Sequence, residues 1–168
     1  MKIGRWIDRK FTFNDSVEIF PAVIERLDGT IKRLEHKTAE IEQAMLLSNE
    51  GSGWTILQHV GHLSSIEPLW TGRLDQLLAG ATKLVAADMK NKKTEDADYN
   101  TIAIDQLLEE FHEIRSATIK RLRGLKIDQV GLSAMHPRLG QPMRVLDLFI
   151  FAAEHDDFHL AKITEITG

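Results

Sequence analysis

At 168 residues the chain is long enough for one domain with a substantial core and short for two. Charged residues make up 27% and hydrophobic ones 43%; the net charge is −4, with no basic run beyond Lys90-Asn91-Lys92-Lys93, so the positive footprint that a phosphate backbone requires is missing and nucleic acid is excluded as a partner. Without a single cysteine the fold has no disulfide, and any metal site must use nitrogen and oxygen ligands.

The start, Met1-Lys2-Ile3-Gly4-Arg5-Trp6, is too polar for a signal peptide, and no apolar run reaches membrane-spanning length. The expectation is a cytoplasmic protein with no membrane contact. Residues 1–17 carry Trp6, Phe11 and Phe13 among charges, with Asn14-Asp15-Ser16 as capping residues, and read as an arm packed on the body by its aromatics. Pro21 suits a first helical turn, where a missing N–H costs nothing. A helix over about 18–46 follows, with Val23, Leu27, Ile31, Leu34, Ile41 and Met45 at helical spacing, broken by Gly51-Ser52-Gly53. Thr55 is the N-cap of a second helix. Its inward stripe is Ile56, Val60, Leu63, Trp70, Leu74 and Leu77; Pro68 predicts a kink or a one-turn irregularity, and Gly80 ends it.

Residues 80–100 have no sustained period, which suits either a functional loop or a solvated linker. A third helix, capped by Asn100 or Thr101, carries Ile104, Leu107, Leu108, Phe111, Ile114 and Leu122 inward and ends near Gly124. Met135 to Pro142 reads as a tight, proline-bounded loop, and a last helix runs from about 143 to 166. No segment reads as a strand. The expected architecture is a single all-α domain over 1–168, a four-helix bundle with a long crossover loop between the second and third helices.

The chemistry concentrates in the last helix. Val145, Leu148, Ala152, His155, His159, Ile163 and Ile166 follow one another at steps of three and four, so two imidazoles stand where the pattern asks for aliphatic side chains. Burying both is unfavourable unless each is hydrogen-bonded or coordinated, and a divalent ion would satisfy both. A third ligand would come from a facing helix, and the second helix offers His59 and His62. Helical phase favours His59, which lies nearer the inward stripe, but the irregularity at Pro68 blurs the phase, so periodicity leaves both open.

The stretch Gly53-Trp54-Thr55-Ile56-Leu57-Gln58-His59-Val60-Gly61-His62-Leu63 resembles the signature helix of the DinB/YfiT-like superfamily: a tryptophan, then Ser or Thr, then a histidine eight positions after the tryptophan, followed by leucine. That spacing selects His62. The second signature of the family, a His-x-x-x-His pair in the last helix, is matched by His155 and His159. The resemblance covers nearly the whole chain, from Phe20-Pro21 through Glu67-Pro68-Leu69-Trp70 to His136-Pro137-Arg138. One departure is Phe158, where many relatives have a histidine before the last ligand. The resemblance implies a four-helix bundle, dimeric in the family, holding Zn²⁺, Ni²⁺ or a similar ion through His62, His155 and His159. It further implies a small-molecule substrate and a metal-dependent activity: transfer of a low-molecular-weight thiol such as bacillithiol or mycothiol, or hydrolysis, or a non-catalytic metal-binding dimer.

Glu67 falls on the inward stripe of the second helix, as a candidate to orient a ligand histidine or act as general base, or else as a structural partner of an arginine or of the Trp54 N–H. Arg73, Asn91 and Arg138 are candidates to line a pocket mouth for an anionic substrate, and His136 to stand at its rim. Glu154, Asp156 and Asp157 read as a solvated acidic edge, and His36 and His112 as solvated. Trp6, Phe11 and Phe13 are the natural contacts of a homodimer, or the closure of one end of the bundle.

Overall fold

The computed structural model describes residues 2–49 and 53–168. The Gly51-Ser52 part of the expected break lies outside them. Among the described residues the chain runs α1 (Phe20–Thr38), α2 (Gln43–Leu46), α3 (Ile56–Leu78), α4 (Lys92–Glu95), α5 (Ile104–Arg123), α6 (Ile127–Val130), β1 (Ser133–His136), β2 (Gln141–Arg144) and α7 (Val145–Thr167). The four long helices form a four-helix bundle. α1 packs on α5 and α7, and α3 packs on the same two, so α1 and α3 stand on one diagonal and α5 and α7 on the other. The 79–103 segment, expected as the crossover, therefore joins neighbours instead; it is the steps from α1 to α3 and from α5 to α7 that cross the bundle.

Local chemistry explains the boundaries. Pro21 sits in the first turn of α1. Thr55 caps α3 by accepting from the Gln58 N–H at 3.1 Å, while Gln58 Oε1 accepts from the Thr55 N–H at 3.0 Å, a reciprocal capping box. The helix runs on through Pro68 and stops before Gly80, whose φ of +75° is the left-handed conformation that glycine tolerates best.

Three expectations need correction. The first helix ends at Thr38, not 46: Ile41 and Met45 continue the period across a turn, but Ile41 is only half-buried and Met45 exposed. The third helix starts at Ile104 with Ala103 as N-cap, because Tyr99–Thr101 form a 3-10 turn. The proline-bounded loop is the turn of an antiparallel β-hairpin that pairs His136 with Gln141 and Ser133 with Arg144. The preceding loop adds a short parallel bridge, with Leu84 N–H donating to the Met135 carbonyl and Met135 N–H to that of Thr82.

Two apolar clusters fill the bundle. One gathers Leu27 of α1, Trp70 and Leu74 of α3, Ile119 of α5 and Phe149 of α7; the other gathers Leu34, Leu57, Phe111 and Ile163 of the same helices. Between them each long helix contributes buried polar residues: Thr30, Glu67, Arg115, and on α7 His155, Asp156 and His159. Asp156 is thus no solvated edge; it is fully buried. Its carboxylate accepts from Arg115 Nη1 at 2.5 Å and from Thr30 Oγ1 at 2.9 Å. Glu154 and Asp157 are half-buried, paired with Arg26. The arm lies on α7: Trp6 and Phe11 meet the Phe151 ring at centroid distances of 4.9 and 4.7 Å, so the three arm aromatics pack on their own chain.

Candidate metal centre

α3 and α7 pack side by side, and their inward faces bring four imidazoles together. His155 Nε2 lies 3.4 Å from His62 Nε2 and 3.2 Å from His159 Nε2. His59 stands behind, with Nδ1 2.8 Å from His159 Nδ1. Nitrogens about 2.0–2.1 Å from a tetrahedral ion lie about 3.3–3.4 Å from one another. The His62–His155 and His155–His159 pairs are already near that spacing, and the candidate ligand atoms of all three lie within 4.8 Å of one another. Of the group, His62, His155 and His159 converge as a ligand set; His59, which phase alone favoured, is left out.

Hydrogen bonds fix which nitrogen is free. Ser65 Oγ donates to the His62 carbonyl at 3.0 Å, so the hydroxyl of Thr94, 3.1 Å away, donates to Ser65. Thr94 Oγ1 then accepts from His62 Nδ1–H at 2.8 Å, and the lone pair of His62 is left on Nε2, facing the centre. With His159 Nδ1–H donating to His59 Nδ1, 2.8 Å away, His159 would present its Nε2 lone pair to the centre in the same way. Burial, foremost, and then the neighbouring imidazoles push His62 down to about 2; burial and the Arg115 charge push His155 down to about 3. His159 is held well below its ordinary value by burial and the other three rings. All are neutral at pH 7, the form that binds a metal. Hydrogen bonding alone accounts poorly for the cluster. With the Nδ1 proton of His62 directed outward, and His159 in the matching tautomer, two Nε2 lone pairs face a His155 ring that has one proton to give, and His155 Nδ1 has no hydrogen-bond partner among the described residues. A divalent ion fits this donor set.

The centre opens into a cavity of about 570 Å³. Trp54, Trp6 and Phe158 supply apolar wall around the imidazoles: the Trp54 ring is 4.8 Å from that of His62, and Trp6 is 5.1 Å from His155. Phe158, the departure from the family pattern, lies 5.2 Å from the His159 ring. Arg73, Asn91, His136 and Arg138 all line this cavity. Glu67 does not. Its two oxygens accept from Arg115 Nε and Nη2 at 3.1 and 2.9 Å, the arginine partnership that stood as its other reading. His36 and His112 are exposed.

Sequence reasoning missed two contributors. Thr94 sits in the period-free loop, where no pattern marks a residue as buried, yet it is 1% exposed and orients His62. The arm, expected to close the bundle or to meet a second copy, places Arg5, Trp6 and Ile7 in the cavity wall. Among the described residues no helix is long and apolar enough to cross a membrane.

Comparison with known proteins follows the same lines. The DinB superfamily profile matches residues 26–163. A search of curated proteins returned no match. Among solved structures, the chain is similar to YfiT from Bacillus subtilis, reported as a probable metal-dependent hydrolase with an unusual four-helix bundle topology. The TM-score is 0.83 at 21% identity, over 95% of this chain and 91% of that one.

Proposed function

The chain belongs to the DinB superfamily, and from that premise we propose that it is a metal-dependent enzyme that transfers a low-molecular-weight thiol to an electrophile. The observation that carries the reading is the convergence of three neutral imidazoles on the wall of an open cavity, with His155 Nε2 3.4 Å from that of His62 and 3.2 Å from that of His159. Three protein ligands with free space beside them are the arrangement of a catalytic site, whereas a structural site is closed by a fourth.

His62, His155 and His159 would hold the ion, with Zn²⁺ or Ni²⁺ best suited to an all-imidazole set. Such an ion supplies Lewis acidity, lowering the pKa of a thiol or a water enough to give a nucleophile near neutral pH. Thr94 and His59 orient two of the ligands through their Nδ1 atoms. Trp54, Trp6 and Phe158 keep the surroundings apolar, which strengthens electrostatic interactions at the centre. The protein has no cysteine of its own, so a sulfur nucleophile must arrive as a cosubstrate, and the cavity volume is within the range that takes small ligands. We place the reaction in the cytoplasm, where such thiols stay reduced.

Hydrolysis is the second reading, favoured by the likeness to YfiT. The test is an assay of Zn- or Ni-loaded protein with bacillithiol or mycothiol and 1-chloro-2,4-dinitrobenzene, beside an ester and amide panel with thiol omitted. Conjugate formed only with metal and thiol, and abolished in His62→Ala, is the expected result. Turnover of the panel with water alone would replace the transferase with the hydrolase.

A further inference from the structure

Beyond His155 the cavity wall is built from α3 and the β-hairpin, and it is short of acceptors. Trp70 Nε1, His136 Nε2 and Arg138 Nη2 are buried and have no hydrogen-bond partner among the described residues. All three are donors. The indole and guanidinium nitrogens can be nothing else; His136 Nδ1 accepts from the Leu139 N–H at 3.2 Å, which leaves the proton of the neutral ring on Nε2. They share one neighbourhood around the Phe151 ring. The Trp70 and His136 rings lie 5.9 and 5.6 Å from it, and the Arg138 guanidinium carbon 5.7 Å.

Next to them Arg73, 1% exposed, has its guanidinium carbon 5.8 Å from the Trp70 ring and donates from Nε and Nη2 to the Val85 carbonyl at 3.1 and 2.9 Å. Arg138 donates from Nη1 to the Ile7 carbonyl. Among the described residues no carboxylate pairs with either charge; burial and then Arg138 push Arg73 down to about 10, and burial lowers Arg138 itself. The carboxylates at the cavity are engaged elsewhere, Asp88 by the Lys90 and Lys92 amides and Glu95 by Trp54 Nε1. A buried guanidinium, a half-buried one beside it and three idle donors make a wall that is unfavourable as it stands, and an acceptor-rich negative group is the chemistry that relieves it.

We propose that Trp70, Arg73, His136 and Arg138 form an oxyanion subsite, which holds a carboxylate or phosphate group of the substrate while its reacting atom lies at the three imidazoles. The position of the reacting atom rests on the metal-dependent reading above; the subsite itself does not. The planar guanidinium of Arg138, with one edge on Ile7 and the other idle, suits a bidentate grip on either group.

The experiment titrates metal-free full-length protein with inorganic phosphate and, separately, with succinate, following the Trp70 indole ¹H–¹⁵N resonance, assigned through Trp70→Phe. A saturable shift with at least one anion is expected, weakened about tenfold or more by Arg138→Gln and independently by His136→Asn. Arg138 is half-exposed at the hairpin turn, so its substitution does not empty the core. Saturation by phosphate alone assigns a phosphate-bearing substrate, and by succinate alone a carboxylate. No saturable shift with either, or one indifferent to both variants, overturns the subsite. His62→Ala should lose metal and keep the anion response, so failure of one reading is visible apart from failure of the other.

Discussion

His155 and Asp156 are consecutive on α7 and look onto different neighbours, and the two buried clusters they belong to are finished to different degrees. Asp156 joins Arg115, Glu67 and Thr30 in a network that draws on all four long helices; Arg115 places Nε, Nη1 and Nη2 on two carboxylates and the Leu27 carbonyl. Burial alone would lower the Arg115 pKa; Asp156 and then Glu67 more than reverse it and fix the charge. His155 joins His62, His159 and His59 in a group whose inner nitrogens face one another and whose His155 Nδ1 and His59 Nε2 have no hydrogen-bond partner among the described residues. The closed cluster holds the bundle together. The open one borders the cavity. A buried polar group is therefore informative about function through its unsatisfied atoms, not through burial alone.

The largest effect should come from opening the closed cluster. Arg115→Met leaves two buried carboxylates without their cation, and a loss of about 3–5 kcal/mol in urea unfolding is expected; a loss under about 1 kcal/mol would mean that the network contributes little. A smaller effect, confined to the open cluster, should follow Thr94→Val. Removing the acceptor of His62 Nδ1–H should weaken zinc binding about 10–100-fold, read by competition with a chromophoric chelator. An unchanged affinity would show that Thr94 does not set the tautomer.

Acid should also separate the clusters. Folded His155 and His59 resist protonation down to about 3 and about 4, while in the unfolded chain they take up protons near 6.5. The unfolded chain thus binds more protons between those values, and stability of the metal-free protein should rise with pH across that window and be lost as pH falls below 6.5. Each such imidazole adds a slope of about 1.4 kcal/mol per pH unit. His155→Gln should flatten the profile by about one proton; a profile no flatter than wild type would contradict the neutral, buried assignment. The smallest effect is expected from Thr30→Val, the counterpart of the Thr94 change. Both threonines are almost wholly buried, but Thr30 serves Asp156. It should lower stability by about 1–2 kcal/mol and leave zinc affinity unchanged, and a change in zinc affinity would join clusters that the comparison keeps apart.

The same contrast explains what the sequence could show. The His155–His159 pair was legible because α7 carries a clean stripe into which two imidazoles intrude. The choice between His59 and His62 was not, because α3 is buried on most of its circumference, from Leu57 and Val60 to Ser64 and Arg73, so phase does not tell inside from outside. Only the family spacing from Trp54 pointed to His62. Asp156 was misread for a related reason: α7 is covered by α1 on one side and α3 on another, so a charge beside a ligand can be as buried as the ligand. The hairpin has strands of four residues, with Pro142 in one, too short for alternation to register. Thr94 and the arm reach the site through tertiary placement, which no local pattern encodes.

The central claim is that three imidazoles, and not four, hold an ion. Elemental analysis of metal per chain, after loading with zinc or nickel and removal of excess, tests it on wild type, His62→Ala and His59→Ala. About one equivalent in wild type and in His59→Ala, with none in His62→Ala, is the predicted result. No metal in loaded wild type would contradict the account and return the four histidines to a hydrogen-bonded core; a full equivalent retained by His62→Ala would contradict this ligand set.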